Sequence, residues 1–404
     1  MKNLIIGYGI TGKSVENYLQ SIDTEYLIYD DDKKNLKDID DSQIYRKKNI
    51  DSINEVIISP GIRPDHPIVQ QLKSKSISIK TDIEIFSNNY KGKIIGVTGT
   101  NGKTTFVNEI TKFLNLNDLS SIAVGNVGIS PLDIIHNNYE YVILELSSYQ
   151  LYYTTNLELD LAVILNIFPD HIDWHKSFDN YAISKKKILN FLQKDKIDRK
   201  IIGSNLGIIE QNLPVDLDLN IKNNIKVHKE LLLALGEAAK IIGGEELYNN
   251  FIKYIKINNF DYPHRMEQFL KIENKNITFF DDSKATNYHA VNKATKLFSA
   301  DQEEGILILH GITKETLNNK LDIDPFFKHV IIPRDMNVNL GIHNAEIIYI
   351  EHIYDLKDIL EKILIINQIV LFSCGGSSFN DFENYQVRGN YFKNTVFSME
   401  IKDA

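Results

Sequence analysis

The segment Thr98-Gly99-Thr100-Asn101-Gly102-Lys103-Thr104-Thr105 constrains the fold of this 404-residue chain more than any other. It follows the apolar run Ile94-Ile95-Gly96-Val97 and opens a stretch with helical character. In a loop of this kind, glycines let successive backbone N–H groups turn toward phosphate oxygens, and the helix N-terminus adds positive potential. The lysine then reaches the terminal phosphates, and the hydroxyl after it can ligate Mg²⁺. Val97 stands where the strict G-x-x-x-x-G-K-[ST] form has its first glycine, so the loop is a variant of that form. A buried strand, a phosphate loop and a helix in this order require an α/β domain with a mostly parallel sheet.

A second glycine turn, Gly7-Tyr8-Gly9-Ile10-Thr11-Gly12, follows an apolar run at 2–6, and Asp30 ends another short run at 26–29. The pattern fits G-x-G-x-x-G with a ribose-binding acid about twenty residues on, which by itself reads as a dinucleotide site. The physics specifies only a diphosphate near a helix N-terminus, which a nucleotide sugar also supplies. Glycines that serve helix-strand packing alone are the remaining alternative.

Apolar runs at 55–58, stopped by Ser59-Pro60-Gly61, and at 77–79 continue the first domain, and the polar stretch 87–93 reads as a linker. Runs at 141–146 and 161–165 have the continuous apolar character of strands covered on both faces. Helical spacing covers 226–242, and a polar break falls near 258–263. Beyond it, strands are expected at 277–280, 306–310, 330–332, 347–349 and 369–372, with helices between them. The expected architecture is three successive α/β domains. These are an N-terminal Rossmann-like domain at 1–90, a central P-loop ATPase-like domain with a mostly parallel sheet at 91–263, and a C-terminal Rossmann-like domain at 264–404.

Charge narrows the ligands. With 45 Lys and Arg against 54 Asp and Glu, the net charge is −9, so there is no broad footprint for nucleic acid or an anionic membrane. An anionic ligand must be held by local groups. No apolar run approaches the roughly 18 residues of a membrane span. Cys374, the single cysteine, cannot pair within the chain, and the glycine-broken start lacks the layout of a signal peptide. A reducing cytoplasm is therefore the expected compartment.

Other candidate groups gather at predicted strand ends, where the crevice of an open α/β sheet lies. Glu145 ends the run at 141–146 and is placed either to hold Mg²⁺ or to cap the next helix. His171, beside Asp170, follows the run at 161–165 and is a candidate second metal ligand. Lys185-Lys186-Lys187 lies on an expected helix, where three consecutive residues cannot share a face, and taken alone it reads as a solvated basic surface. Alternation places Phe280, Asp282 and Lys284 on one side as a strand runs out, and His264-Arg265 supplies a planar cation suited to phosphate. Lys314 and the turn at 373–378 add a cation, hydroxyls and glycines.

Taken in order, seven motifs resemble the Mur ligase family over essentially the whole chain. They are T-G-T-N-G-K-T-T at 98–105, G-N-V-G at 125–128, E-L-S-S-Y-Q-L from Glu145 and N-x-x-x-D-H-x-D from Asn166, followed by P-H-R at 263–265, D-S-K-A-T-N from Asp282 and S-S-F-N-D-F-E-N-Y-Q-x-R-G from Ser377. The resemblance implies an ATP- and Mg²⁺-dependent ligase that adds D-glutamate to UDP-N-acetylmuramoyl-L-alanine. The reaction would pass through an acyl phosphate and a tetrahedral intermediate and release ADP and phosphate, in cytoplasmic peptidoglycan precursor synthesis, by a monomer.

The resemblance assigns ATP contacts to Gly99, Thr100, Asn101, Gly102, Lys103, Thr104, Thr105, Arg265 and Asp282. It assigns Mg²⁺ to Thr104, Glu145, His171 and a carbamylated Lys185, and catalytic roles to Lys103, Glu145, His171, Lys185 and Lys284. The UDP-sugar would meet Gly9, Ile10, Thr11, Gly12, Asp30, Ser59, Pro60, Gly61, Asn126, Ser147 and His171, and D-glutamate would meet Thr286, Lys314, Ser378 and Tyr385. Departures from the family pattern are Asp30-Asp31-Asp32, where an Arg often follows the first acid, and His228-Lys229-Glu230, where relatives carry His-Asn-x-x-Asn. The alternatives are another amino-acid ligase of the same family, a nicotinamide-dependent oxidoreductase with an accessory phosphate-loop domain, or a non-catalytic P-loop switch.

Overall fold

The computed structural model describes residues 2–46, 50–203, 229–258, 262–298, 304–313, 319–341 and 344–400. Three sheets follow one another along the chain. The first is built from β1 (Lys2–Ile6), β2 (Tyr26–Tyr29), β3 (Ile53–Ile58) and β4 (Ser78–Lys80), all parallel, in the order β2-β1-β3-β4. Helices α1 (Ile10–Ser21) and α2 (Pro67–Ser74) make its crossovers. The second is β5 (Lys93–Thr98), β6 (Ser121–Gly125), β7 (Tyr141–Glu145), β8 (Leu161–Ile164) and β9 (Lys200–Ile202), parallel throughout, in the order β6-β7-β5-β8-β9.

Every residue of β7 and β8 is buried, as expected for parallel strands with both faces covered. The second sheet carries α4 (Lys103–Leu116), α5 (Ser148–Tyr153), α6 (Ile172–His175), α7 (Phe178–Lys186) and α8 (Lys229–Ile257), with α3 (Asp82–Asn89) leading into it.

The third sheet runs β10-β11-β15-β12-β13-β14, from β10 (Glu267–Ile272), β11 (Ile277–Asp282), β12 (Glu304–His310), β13 (Phe327–Pro333), β14 (Glu346–Ile350) and β15 (Gln368–Gly375). Only the β10–β11 pair is antiparallel. Along β12 the side chains alternate between two cores: Leu307 and Leu309 pack on one face with α9 (Tyr288–Thr295). Ile306 and Ile308 pack on the other, with α10 (Leu356–Ile363) and α11 (Tyr385–Phe397). The first two sheets and their helices form one compact unit, the third sheet and its helices another, and Phe168–Asp173 groups with the latter. Among the described residues no helix is long and apolar enough to cross a membrane.

The expected strands are present, with four corrections. The stretch read as a linker from residue 87 is helical to Asn89, because Thr81 and Glu84 close a capping box that starts α3. The glycine turn is shorter than 7–12, since α1 already begins at Ile10. The helix expected to end at 242 continues to Ile257, broken only where Gly243 and Gly244 leave helical geometry, and its expected start at 226–228 lies outside the described residues. Strand β10, between the polar break at 258–263 and the strand expected at 277–280, was not among the expected strands, because a half-covered edge strand carries a weak apolar signal.

Candidate active site

The phosphate loop is held from three directions. Gly102, at φ +85°, ends it in a left-handed conformation that a side chain would strain, and α4 starts at the next residue. Asn166, after β8, brackets the loop. Its backbone carbonyl accepts from Thr100 N–H (2.9 Å), its Oδ1 from Asn101 N–H (2.9 Å), and its Nδ2 donates to the Asn101 carbonyl (3.1 Å). The Lys103 ammonium folds back on the carbonyls of Gly99 (2.7 Å) and Thr100 (3.0 Å). Thr104 and Thr105 occupy the first turn of α4.

Lys185 resolves the lysine run. It is 2% exposed while Lys186 is exposed, and its Nζ donates to the Gly99 carbonyl (2.8 Å) and approaches Thr98 Oγ1 (3.4 Å). Tyr181, one helical turn earlier, lies under that ammonium, 5.0 Å from it, and its hydroxyl meets Thr100 Oγ1 at 2.8 Å. Asn166 and Tyr181 were not singled out from the sequence. The signals were present: Asn166 heads the N-x-x-x-D-H-x-D motif, and Tyr181 stands at i−4 from Lys185 on one helix face.

Glu145 ends β7, beside the end of β5 and in register with Val97. It is 1% exposed, and Asn126 grips it twice, through Nδ2 to Oε1 (2.9 Å) and through its backbone N–H to the Glu145 carbonyl (3.1 Å). Gly125 must be glycine here, since it sits at φ +95° and a Cβ would come within 2.5 Å of that carbonyl. Glu145 Oε2 is buried and accepts no hydrogen bond among the described residues. A buried carboxylate oxygen left open beside a phosphate loop fits a hard divalent cation, and the Thr104 hydroxyl is a donor of the same class. Ser147, two residues on, caps α5 in a reciprocal capping box with Gln150.

At the carboxyl edge of the first sheet, Ser59 Oγ donates to the Gly7 carbonyl (2.7 Å), bringing the loop at 59–61 against the glycine turn. Gly12 serves packing, as a Cβ there would stand 2.2 Å from the Gly7 carbonyl, whereas nothing lies within 4 Å of the Cβ positions of Gly9 and Gly61. Ile10 is 71% exposed, and Thr11 follows it in the first turn of α1; Pro60 lies between Ser59 and Gly61. Asp30 Oδ2 accepts the Tyr8 N–H (2.6 Å), fastening the end of β2 to the turn.

In the second compact unit, His171 stands at φ +54° with its N–H donated to Asp170 Oδ1 (2.8 Å). Asp282 ends β11, buried, accepting from Ser373 Oγ (2.8 Å) and Met266 N–H (3.2 Å). The strand stops there, so Lys284 lies in the turn rather than on the strand face. Its ammonium stands 3.9 Å from the centre of the Tyr385 ring, and its N–H bonds the His264 carbonyl (3.1 Å). Arg265 follows His264, whose Nδ1 meets Asp281 Oδ2 at 2.7 Å.

His264, Glu267 and Asp281 bring ligand-type atoms within 4.8 Å of one another, but the Lys393 ammonium lies 2.6 Å from Glu267 and 3.5 Å from Asp281 and already serves both carboxylates as counter-ion. Thr286 is half-buried before α9, and Ser378 is 3% exposed after β15. Lys314 lies outside the described residues. Cys374, expected in a loop, is fully buried within β15, where burial pushes its thiol up to about 12. It is unreactive there.

Burial pushes the Asp282 carboxyl up to about 7, and neighbouring Asp281 adds to the rise, against the opposing hydrogen bonds from Ser373 and Met266 and the charge of Arg265. Because the folded state then binds a proton that the unfolded chain has released, this group's contribution to stability falls as pH rises from about 4 toward 7. Asp282→Asn removes that dependence. Its stability relative to the parent should therefore improve by roughly 2–3 kcal/mol between pH 5 and pH 8. Urea unfolding at the two pH values checks this, and a difference that shrinks with pH refutes it.

Residues 1–81 match the family described as Mur ligase MurD-like, N-terminal domain, and residues 97–206 match the Mur ligase middle domain. A UDP-N-acetylmuramoylalanine–D-glutamate ligase of Thermotoga petrophila is 29% identical over 371 residues, 84% of this chain and 83% of that protein. The ligase of the same name from Thermosipho africanus is 28% identical over 440 residues, covering 99% of both. Among solved structures, the MurF ligase of Thermotoga maritima in complex with ADP superposes with a TM-score of 0.51 at 12% identity, over 98% of this chain and 94% of that one.

Proposed function

The chain is a Mur ligase of the MurD-like kind, and from that premise we propose that it joins D-glutamate to the L-alanine carboxylate of UDP-N-acetylmuramoyl-L-alanine, with ATP converted to ADP and phosphate. The observation that carries the reading is the phosphate loop clasped by Asn166, Lys103 and Lys185, with the open carboxylate oxygen of Glu145 at the neighbouring strand end.

A carboxylate is a poor electrophile, so the γ-phosphoryl group passes first to the substrate carboxylate oxygen. The amine of D-glutamate attacks the resulting acyl phosphate, a tetrahedral intermediate forms, and phosphate leaves as the amide closes. Loop N–H groups and Lys103 bind the phosphates, and the lysine exchanges its carbonyl contacts for phosphoryl oxygens as charge shifts among them. Mg²⁺, held by Thr104, Glu145 and His171, would neutralise the phosphoryl oxygens when bound. Lys185, once its amine has taken up CO₂ and lost a proton, is an anion that supports this cation. Arg265 and Asp282 serve the nucleotide, and Lys284 the reacting carboxylate.

The N-terminal domain at 1–90 takes the UDP-sugar at Gly9 to Gly12, Asp30 and the loop at 59–61, with Asn126 and Ser147 from the central domain at 91–263. The C-terminal domain at 264–404 takes D-glutamate at Thr286, Lys314, Ser378 and Tyr385, where cationic and hydroxyl groups suit two carboxylates. The reading places the protein in the cytoplasm and has it act as a monomer.

Phosphate release from ATP should require both UDP-N-acetylmuramoyl-L-alanine and D-glutamate, with L-glutamate, L-alanine and diaminopimelate inactive. Stimulation by a different amino acid would reassign the chain within the family. Tight NADH binding without phosphate release would point to an oxidoreductase instead.

A further inference from the structure

We infer that Glu84 is a positioning residue for this reaction: it straps the segment that carries Ser147 to the first sheet's domain, so that a nucleotide sugar held at that sheet's edge meets the phosphate loop at a fixed spacing. The inference rests on the ligase reading above.

A capping box needs one carboxylate oxygen, and at the start of α3 Glu84 Oε2 fills that role by accepting the Thr81 N–H (2.8 Å). Its other oxygen does something the cap does not require. Oε1 accepts from Thr155 N–H (2.6 Å), Thr155 Oγ1 (2.7 Å) and Asn156 N–H (2.7 Å), all from the strap that follows α5. Glu84 is 1% exposed, so these donors answer a charge removed from water, and short bonds to an ionised acceptor are the strong kind.

The same face of α3 repeats the contact at i+3 and i+4. Ser87 Oγ accepts the Glu158 N–H (3.0 Å), and Asn88 Oδ1 accepts from Asn156 Nδ2 (3.3 Å). Thr81 Oγ1 meets Thr154 Oγ1 at 3.2 Å beneath them. Between this strap and Ser147 lies only α5, whose last residue, Tyr153, donates its hydroxyl to the Ile62 carbonyl (2.7 Å), just past the loop at 59–61. The short helix is thus fixed to the first domain twice, while its N-cap follows Glu145 by two residues.

The test is Glu84→Gln in the full chain. The carboxamide keeps the shape, but it turns an NH₂ toward one of the two sets of N–H donors. The KM for UDP-N-acetylmuramoyl-L-alanine should rise about tenfold with the KM for ATP within about twofold, and amide exchange at Thr155 and Asn156 should quicken about tenfold or more. An unchanged sugar KM overturns the inference, as does an equal rise in both KM values, since a merely structural loss has no reason to single out one substrate. Should this variant not fold, Thr155→Val removes one side-chain donor and should raise the sugar KM about threefold; an unchanged KM again overturns it. If the parent protein itself shows no sugar-dependent phosphate release, the ligase reading fails. Exchange at Thr155 and Asn156 then still reports whether Glu84 holds the strap.

Discussion

Lys103→Ala should leave a folded protein that no longer phosphorylates the substrate carboxylate, with phosphate release down about 10³-fold or more. Among the described residues, the side chain bonds two carbonyls of its own loop and is only half-buried, so truncating it opens no core cavity. Its charge matters mainly where negative charge moves between phosphoryl oxygens. Binding that the transition state shares with the ground state survives through the loop N–H groups, so kcat should fall much further than ADP affinity. Single-turnover phosphate release and ADP titration separate the two. A variant retaining a tenth of the parent's rate would remove Lys103 from the phosphoryl-transfer step.

The second large effect belongs to Lys185. Lys185→Ala should reduce turnover about 10²-fold or more, and a short-chain carboxylate such as acetate should restore part of the loss. The argument is one of charge sign. As an ammonium, Lys185 is bound to the Gly99 carbonyl at the root of the phosphate loop and lies over the Tyr181 ring, a buried cation beside the site proposed for Mg²⁺. As a carbamate it would present two oxygens with negative charge from the same position. Alanine leaves a space that acetate can fill, whereas rescue by a small amine would assign the function to the cation. Neither rescue, with activity near that of the parent, would reduce Lys185 to a packing residue.

Much of this was legible in the sequence, for identifiable reasons. Parallel strands covered on both faces, such as β7 and β8, are continuous apolar runs, and the glycine-rich loop ending in Gly102-Lys103 is marked by the apolar run before it and the helical stretch after it. Edge and interface elements were harder to read. Strand β10 alternates weakly because one of its faces is only half-covered, and α3 was not expected at all, because its polar face of Glu84, Ser87 and Asn88 runs into the stretch read as a linker until the strap at 154–158 is laid along it. Asn166 and Tyr181 act on the phosphate loop across 65 and 81 residues of sequence, a pairing that no local periodicity records. The lysine run shows the reverse: spacing established that the three could not share a face, but only the fold selects Lys185 as the one turned inward.

Arg388, on α11, is fully buried, with its guanidinium shared among the carbonyls of Ser283 (2.8 Å), His310 (3.1 Å) and Gly376 (2.9 Å). Those carbonyls sit in the three turns that lead to Lys284 and Thr286, to residues 311–313, and to Ser378. On the ribosome, the first two turns are made about a hundred and about eighty residues before the side chain that ties them. The end of the third sheet proposed to receive the amino acid therefore acquires its shape only when residue 388 has been synthesised and α11 has docked. Until then, a nascent chain with both earlier sheets complete has a phosphate loop but no assembled seat for the attacking amine.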